Sequence, residues 1–146
     1  MTQDSRDQQW RENAAAQRAR FADYTLDPAH TIVIEPAGKH LRVTWQGETV
    51  ADSTSALALH ERNHGAVYYF PQKDVRTDLM DRTAHATHCP YKGDASYWSL
   101  KGAHGIAENA VWAYQSPIES VADIKDHMAF YLDSMGKDFG LVLQDA

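Results

Sequence analysis

Apolar and polar residues alternate along short stretches of this chain, and this period of two constrains the fold more than any other feature. In Leu41-Arg-Val-Thr-Trp45 every second side chain is apolar, which predicts a strand with one buried face. Gln46-Gly47 predicts a turn, and residues 48–52 are predicted to be the partner of the strand that precedes it. Residues 67–70, stopped by Pro71, predict a buried aromatic strand. We therefore expect a mainly β domain.

A further hairpin is predicted around Lys101-Gly-Ala-His-Gly105, a turn punctuated by glycine. If Leu100 pairs with Ile106, alternation places a set of charged and aromatic side chains on one face of the two strands. That set comprises Lys92, Asp94, Trp98, Glu108, Trp112 and Tyr114. A slip of one residue in the pairing would separate them.

The first part of the chain has a different pattern, rich in alanine, arginine and glutamine, which favours a helix. Ser5 followed by Gln8 resembles a capping box at its start. Trp10 and Phe21 fall near one face, so we expect the helix to dock through them onto the main body or onto a neighbouring chain. Residues 1–28 are thus predicted to be a helical extension.

Residues 29–146 are predicted to form a single β-rich domain, which makes the fold α+β and mainly β. Within it, Ser116-Pro-Ile-Glu119 has the capping residue, proline and glutamate of a helix start, so a short helix is expected from about Pro117.

Composition excludes several classes of protein. The 146 residues include 14 Lys and Arg against 20 Asp and Glu, a formal charge of −6 that argues against binding nucleic acid. The single cysteine, Cys89, excludes an internal disulfide and a four-cysteine zinc site. No apolar run approaches the ~20 residues of a membrane span, and the first residues lack the apolar core of a signal peptide. We expect a cytoplasmic protein without a membrane partner.

Lys92-Gly93-Asp94 is the segment best suited to hold an anion, since it offers an ammonium group, a close-approach glycine and an orienting carboxylate. A surface turn with a weak ion pair is the alternative. Glu61 and Asp74 flank the predicted strand 67–70 and are candidates for general acid–base catalysis. Solvated loop carboxylates are the alternative for both.

Cys89 lies beside His88 and three residues before Lys92, which suits a nucleophilic or redox thiol, although free cysteine is more often a buried apolar residue. His85, His88 and Cys89 are metal-ligand types. Neighbours on a strand point to opposite faces, so we expect no metal there. Tyr69, Trp98, Trp112 and Tyr114 belong to a dense aromatic stretch that forms either the core or a stacking wall for a ligand.

Several motifs resemble the domain-of-unknown-function 427 family. They are Val43-Thr-Trp-Gln-Gly-Glu-Thr-Val-Ala-Asp-Ser, Val67-Tyr-Tyr-Phe-Pro, Thr87-His-Cys-Pro-Tyr-Lys-Gly-Asp-Ala-Ser-Tyr-Trp-Ser and Ala110-Val-Trp-Ala-Tyr-Gln-Ser-Pro. The resemblance covers roughly residues 30–135. It implies compact twisted antiparallel sheets of the β-tent, Mss4-like kind. The family is sometimes labelled nucleotidyltransferase-like, and Glu61 and Asp74 match its motif positions. Relatives of the fold bind zinc through paired Cys-x-x-Cys motifs that this chain lacks, so we expect no cofactor, zinc included.

The predicted function is that of an enzyme or enzyme-like domain acting on a small polar, anionic molecule, a class that includes nucleotide-like compounds. Lys92 would bind the anion, Glu61 or Asp74 would act as acid or base with Cys89 as a further catalytic candidate, and Tyr69, Asp94, Trp98, Trp112 and Tyr114 would line the pocket. Two alternatives remain open: a non-catalytic module that binds a small ligand or peptide on the same aromatic face, and a redox protein that uses Cys89. A homodimer formed through the first helix is also expected as an alternative to docking within the chain.

Overall fold

The structure, a computed structural model, describes residues 2–146. One α-helix precedes ten strands. In chain order these are α1 (Gln3–Ala19), β1 (Ile32–Pro36), β2 (Leu41–Trp45), β3 (Glu48–Ser53), β4 (Leu57–Glu61), β5 (Val67–Pro71), β6 (Met80–Cys89), β7 (Gly93–Gly102), β8 (Gly105–Ala113), β9 (His127–Phe130) and β10 (Leu141–Asp145). Short 3₁₀ turns lie at Gln72–Asp74, Thr77–Leu79, Glu119–Ile124 and Asp133–Met135.

The strands form two antiparallel sheets, which confirms the α+β, mainly β prediction. The larger sheet has the order β1-β4-β5-β9-β8-β7-β6, and the smaller has the order β10-β2-β3. The hairpin predicted at residues 41–52 is present as β2 and β3. Apolar side chains of both sheets meet in one core that includes Trp45, Phe70 and Phe130.

A second apolar cluster lies on the larger sheet and includes Tyr69, Tyr97, Trp112 and Tyr114. Val121 and Ile124, from the 3₁₀ segment Glu119–Ile124, are buried in this cluster. Because neighbouring side chains of a strand point to opposite faces, Tyr97 joins this cluster while the next residue, Trp98, packs against the first core. The larger sheet therefore has two aromatic faces with different surroundings.

The hairpin predicted at Lys101–Gly105 exists, but its register differs from the prediction. Gly102 pairs with Gly105, so the turn between β7 and β8 is tight, and Gly105 has a φ of +99° that favours glycine. Leu100 consequently pairs with Ala107, and the predicted pairing of Leu100 with Ile106 is wrong.

A bulge then shifts the register further between Trp98 and Leu100. At this bulge Asn109 has a φ of 53°, and its N–H donates to Ser99 Oγ at 3.0 Å. Beyond it Trp98 pairs with Val111, not with Glu108. The single face predicted for the charged and aromatic set is therefore wrong, because Trp98 and Trp112 lie on opposite sides of the sheet.

Helix α1 lies along the edge strand β6, a strand that the polar sequence of residues 80–89 did not predict. Asn13 Nδ2 donates to the carbonyl oxygen of Ala84 at 2.7 Å, and Trp10 Nε1 donates to that of Ala95 at 3.2 Å. Asn13 thus covers a carbonyl group of the edge strand β6 that would otherwise be open to another chain, while Trp10 reaches the neighbouring strand β7. The prediction that the helix docks through Trp10 is confirmed for docking within the chain.

Two predicted helix starts are corrected. The cap of α1 is Thr2, whose side chain accepts a hydrogen bond from the N–H of Ser5, and not Ser5 itself. The expected helix from Pro117 is the 3₁₀ segment Glu119–Ile124, preceded by Ile118. Proline at position 117 precedes an extended residue, so the turn begins later than the capping pattern suggested. Among residues 2–146 there is no helix of the length and apolar character needed to cross a membrane.

Candidate functional site

A cavity of about 430 Å³ opens beside the second apolar cluster, and its walls combine rings with polar side chains. It is lined by His85, Tyr97, Glu108, Asn109, Tyr131, Lys137 and Phe139. These residues come from β6, β7, β8 and the segment between β9 and β10. The volume lies in the range of small-molecule sites in proteins.

The rings of His85, Tyr97 and Tyr131 form the aromatic wall of this cavity. The ring of Tyr131 packs against buried Trp112, with centroids 4.5 Å apart and planes at 41°. It lies parallel to the ring of Tyr97, with a centroid distance of 6.4 Å and an interplanar angle of 9°. His85 packs against Tyr97 at 4.5 Å. Because Trp112 belongs to the core, this wall is rigidly supported from behind.

The polar groups of the cavity are a cation, a carboxylate and an amide. Lys137 Nζ lies 5.4 Å from the centre of the Tyr131 ring, within the range of a cation–π contact. No salt bridge to Lys137 occurs within residues 2–146. Asn109 Oδ1 accepts a hydrogen bond from Thr83 Oγ1 at 2.6 Å, which fixes the orientation of its amide. Burial, together with a hydrogen bond to Tyr97, raises the pKa of Tyr131, so this phenol stays neutral.

A separate, half-buried charge cluster contains two of the predicted site residues. Lys92 Nζ lies 2.5 Å from Glu61 Oε1, and His30 Nε2 lies 2.6 Å from Glu61 Oε2. The exposed fractions of the Lys92 and Glu61 side chains are only 12% and 14%. Burial pushes the pKa of Glu61 upward, but the hydrogen bonds and charges of Lys92 and His30 outweigh it and hold that pKa below its usual value. Glu61 is therefore ionised and neutralises Lys92.

The backbone around Lys92 fixes this cluster in place. Its N–H donates to the carbonyl oxygen of Cys89 at 3.2 Å, and its own carbonyl oxygen accepts from Ile118 N–H at 2.9 Å. Gly93 follows with a φ of +117°, and a Cβ there would lie 3.4 Å from the Ser116 carbonyl oxygen. The turn that carries Lys92 thus needs glycine at the next position, where the sequence has it.

Neither Lys92 nor Glu61 lines the cavity described above. Neither side chain lines any of five cavities of about 210–430 Å³ on residues 2–146. Lys92 and a carboxylate do converge, as the enzyme hypothesis required, but they satisfy each other instead of facing an open pocket.

The other predicted polar residues lie apart from this pair. Asp74 follows β5 and accepts a hydrogen bond from Ser53 Oγ of the smaller sheet at 2.6 Å. Asp94 accepts from His88 Nδ1 at 2.8 Å and forms an ion pair with Arg18 of helix α1. The contact of Asp74 links the segment after β5 to strand β3, and the contacts of Asp94 link β7 to β6 and to helix α1. Neither carboxylate forms a contact with Lys92 in this set.

The predicted aromatic residues are mostly core. The exposed fraction of Tyr69 is 2%, and its hydroxyl accepts a hydrogen bond from Trp112 Nε1 at 3.3 Å. Burial strongly raises the pKa of Tyr69 and of Tyr114. Trp98 packs on the other face, with the Arg82 guanidinium 5.7 Å from its ring. Of these aromatic residues, Trp112 is the one that supports the cavity, through Tyr131.

Cys89 is partly buried against the same aromatic cluster. His88, its neighbour, is held by Asp94, and His85 faces the aromatic cavity. Among residues 2–146 no group of three or more His, Cys, Asp or Glu side chains is arranged to hold a metal ion.

Tyr97, Asn109, Tyr131 and Lys137 were not singled out from the sequence. Tyr97 carried a usable signal, since it stands two positions after Ala95 on a predicted strand and so shares a face with it. Lys137 stands in a glycine-bounded loop, Gly136 to Gly140, and nothing in its sequence neighbours indicates that the loop turns back over the sheet.

Comparison with models of protein families identifies the family of this chain. The model of a family described as "Domain of unknown function (DUF427)" matches residues 33–139, which is more than two thirds of the chain. Helix α1 lies outside the matched range. No curated protein matches the sequence.

Proposed function

Because this chain belongs to the domain-of-unknown-function 427 family, whose description assigns no activity, its role has to be argued from its own geometry, and we propose that it binds a small anionic molecule containing a flat ring. The ligand would occupy the cavity of about 430 Å³ beside Tyr97 and Tyr131. The observation that carries this proposal is the position of Lys137, whose ammonium group lies over the Tyr131 ring without a salt bridge in residues 2–146.

The chemistry of the walls favours this class of ligand. A carboxylate or phosphate would pair with Lys137, and its flat ring would pack on the aromatic wall formed by Tyr97 and Tyr131. Glu108 and the Asn109 amide would bind donor and acceptor groups at the ring edge. The formal charge of the chain is −6, so the cation at Lys137 is a local exception on an acidic protein. A charged group on the cavity wall favours ligands that carry an opposite charge over purely apolar ligands.

The test is a thermal-shift screen of small anionic ring compounds, nucleotides and aromatic acids included. A ligand at 100 times its dissociation constant adds about 2.7 kcal/mol to the free energy of unfolding. The shift should be lost in Lys137→Met and retained in Lys125→Met, an exposed lysine outside the five cavities. Hits that shift both variants equally would show that the ligand binds elsewhere.

A second candidate function is catalysis by the charge cluster. The observation that favours it is the 2.5 Å contact of Lys92 with ionised Glu61, since a half-buried lysine and carboxylate can exchange a proton. Mass spectrometry of a bound hit after incubation distinguishes the two functions. Chemical conversion by the unmodified protein that is lost in Glu61→Gln, with binding retained, supports an enzyme. Recovery of unchanged ligand supports a binding module.

A further inference from the structure

The chain between helix α1 and strand β1 crosses the segment that carries Lys92. This connection, residues 20–30, is called the strap below, and it contains no residue of the buried core. Only Phe21 and His30 of the strap are even partly buried. The Phe21 ring lies 5.5 Å from that of His88, and the Tyr24 hydroxyl lies 2.6 Å from the Tyr91 hydroxyl. The strap is thus held by a few side-chain contacts on residues 88–91, by the hydrogen bond from Arg62 Nη1 to the Ala29 carbonyl oxygen at 3.2 Å and by the contact of His30 with Glu61.

His30, at the end of the strap, occupies a position that resembles that of a bound ligand. Its ring stacks on Tyr91 with a centroid distance of 4.0 Å and an interplanar angle of 20°. Its Nε2 lies 2.6 Å from Glu61 Oε2, while Lys92 holds the other oxygen of the same carboxylate. Because Glu61 is ionised and can only accept, His30 Nε2 carries the hydrogen and donates it. A flat nitrogen heterocycle is therefore held by an aromatic face and a carboxylate.

Opening of the strap would expose little buried apolar surface. The strap contains no core residue and is fixed by aromatic contacts and a few hydrogen bonds, so its local opening should have a low free-energy cost. What it leaves behind is a preformed set of groups: the Tyr91 ring, a free oxygen of Glu61 and the ammonium group of Lys92. Glu61 and Lys92 are held independently of the strap, by strand β4 and by the turn at Gly93, and they also hold each other.

We propose that Tyr91, Glu61 and Lys92 form a binding site for a flat nitrogen heterocycle with an N–H donor, and that His30 is its internal occupant. The strap is then an autoinhibitory lid, and a ligand enters by displacing His30. The ring stacks on Tyr91 and its N–H donates to Glu61 Oε2. An oxygen next to that N–H, as in a cyclic amide, would accept from Lys92, which has three N–H donors and uses one on Glu61.

This site is distinct from the cavity at Lys137, although it shares Lys92 and Glu61 with the second candidate function. The inference needs no catalysis and no ligand in the cavity. Its test therefore measures only occupation of the His30 position and opening of the strap, so that its failure and the failure of the proposed function are separable.

The probe is imidazole, and the test compares full-length His30→Ala with His60→Ala. His60 is a matched control because it also pairs with a glutamate, Glu35, at 2.9 Å, but lies 45% exposed on the surface. Imidazole should raise the melting temperature of His30→Ala by refilling the vacated place, and should have no such effect on His60→Ala or on the unmodified chain. An equal response of the two variants would overturn the proposal.

Alkylation of the lone cysteine is a second readout for the opening of the strap. Cys89 lies between His88 and Tyr91, the two residues on which the strap rests. Alkylation of Cys89, followed by mass spectrometry, should be about tenfold faster in His30→Ala, which corresponds to weakening the closed state by one decade. Imidazole should slow it again if the ring fills the site. Unchanged alkylation in a folded His30→Ala variant would contradict the lid.

A milder variant keeps the inference testable if His30→Ala does not fold. Tyr24→Phe removes only the hydroxyl that contacts Tyr91 and leaves the ring in place. It should speed alkylation of Cys89 several-fold, and imidazole should speed it further by competing with His30. If neither change occurs in folded Tyr24→Phe, the strap does not open and the proposal fails.

Discussion

The indole ring of Trp112 and the phenol ring of Tyr131 lie 4.5 Å apart, with one ring in the core and the other on the cavity wall. This contact makes the cavity wall continuous with the aromatic interior of the larger sheet. Tyr131 is consequently oriented by packing before any ligand arrives, which lowers the entropy cost of binding.

Tyr131→Leu should weaken binding of the cavity ligand about tenfold, because it removes a stacking surface worth roughly 0.5–1.5 kcal/mol. Tyr131 is only half-buried, so the melting temperature should change little. Tyr68→Leu is the matched control, since Tyr68 is also half-buried but lines a different cavity. Titration calorimetry with the best screening hit measures both variants. Equal losses in the two would show that the ring of Tyr131 is not the binding surface.

Glu61→Gln should destabilise the protein by about 1–3 kcal/mol at neutral pH, because it leaves half-buried Lys92 without its counter-charge. Glu35→Gln, at an exposed glutamate, should stay within about 0.5 kcal/mol. Urea unfolding followed by tryptophan fluorescence measures both. If Glu35→Gln lowered the free energy of unfolding as much as Glu61→Gln, the burial of Lys92 would not explain the cost.

The stability contributed by Glu61 should depend on pH in one direction. Its pKa is lower in the folded chain than in the unfolded chain, so the stabilisation is full above the usual value of 4.5 and declines as the pH falls through the folded value. The difference between the unmodified protein and Glu61→Gln should therefore shrink on acidification below about pH 4.5. Urea unfolding over a pH series tests this, and a difference that grows toward low pH would have the wrong sign.

Trp10→Ala should loosen helix α1 from the edge strand β6. It removes the indole N–H bonded to Ala95 and the ring under the Arg82 guanidinium, which lies 5.2 Å from its centre. Amide hydrogen exchange should rise in α1 and β6, while Arg11→Ala, on the exposed side of the helix, should leave it unchanged.

Analytical ultracentrifugation of both variants also tests the predicted homodimer through α1. Loss of a dimer in Arg11→Ala but not in Trp10→Ala would assign the dimer contact to the outer face.

Gly140→Ala and Gly136→Ala separate steric clash from backbone strain in the loop that carries Lys137. Both glycines have a positive φ, 81° and 84°. A Cβ at Gly140 would lie 2.5 Å from Gln46 Cγ, whereas one at Gly136 would meet nothing within 4 Å. Gly136→Ala should cost about 1 kcal/mol from conformation alone, and Gly140→Ala clearly more. Thermal unfolding measures both, and equal costs would mean that Gln46 moves aside freely.

Much of the fold follows from local sequence patterns, and most of the cavity does not. The hairpin of β2 and β3 was predictable because β2 alternates and Gln46-Gly47 marks the turn. The pairing of β7 with β8 was not, because the bulge near Asn109 shifts the register without leaving a sign in the alternation. Strand β6 was missed for a related reason, since its side chains are mainly polar and its edge is covered by helix α1.

The charge cluster shows the same division. The family motifs drew attention to Glu61 and the Lys92-Gly93-Asp94 segment drew attention to Lys92, and the structure brings the two side chains into contact across 31 positions of sequence. His30 escaped notice because its role depends on where the strap ends, and no short pattern encodes that position. The cavity depends on three side chains from distant segments, Tyr97, Tyr131 and Lys137, whose meeting requires the whole sheet order.

The cover that helix α1 provides at β6 leaves the larger sheet asymmetric, because its opposite edge is β1, which begins two residues after His30. The strap therefore leads directly into the strand at this edge of the larger sheet. If the strap opens as proposed above, the residues that lead into β1 are freed with it, and we expect this edge to fray when the Glu61 site opens. Helix α1 covers one edge of the larger sheet, and the strap that follows this helix leads into β1 at the other edge.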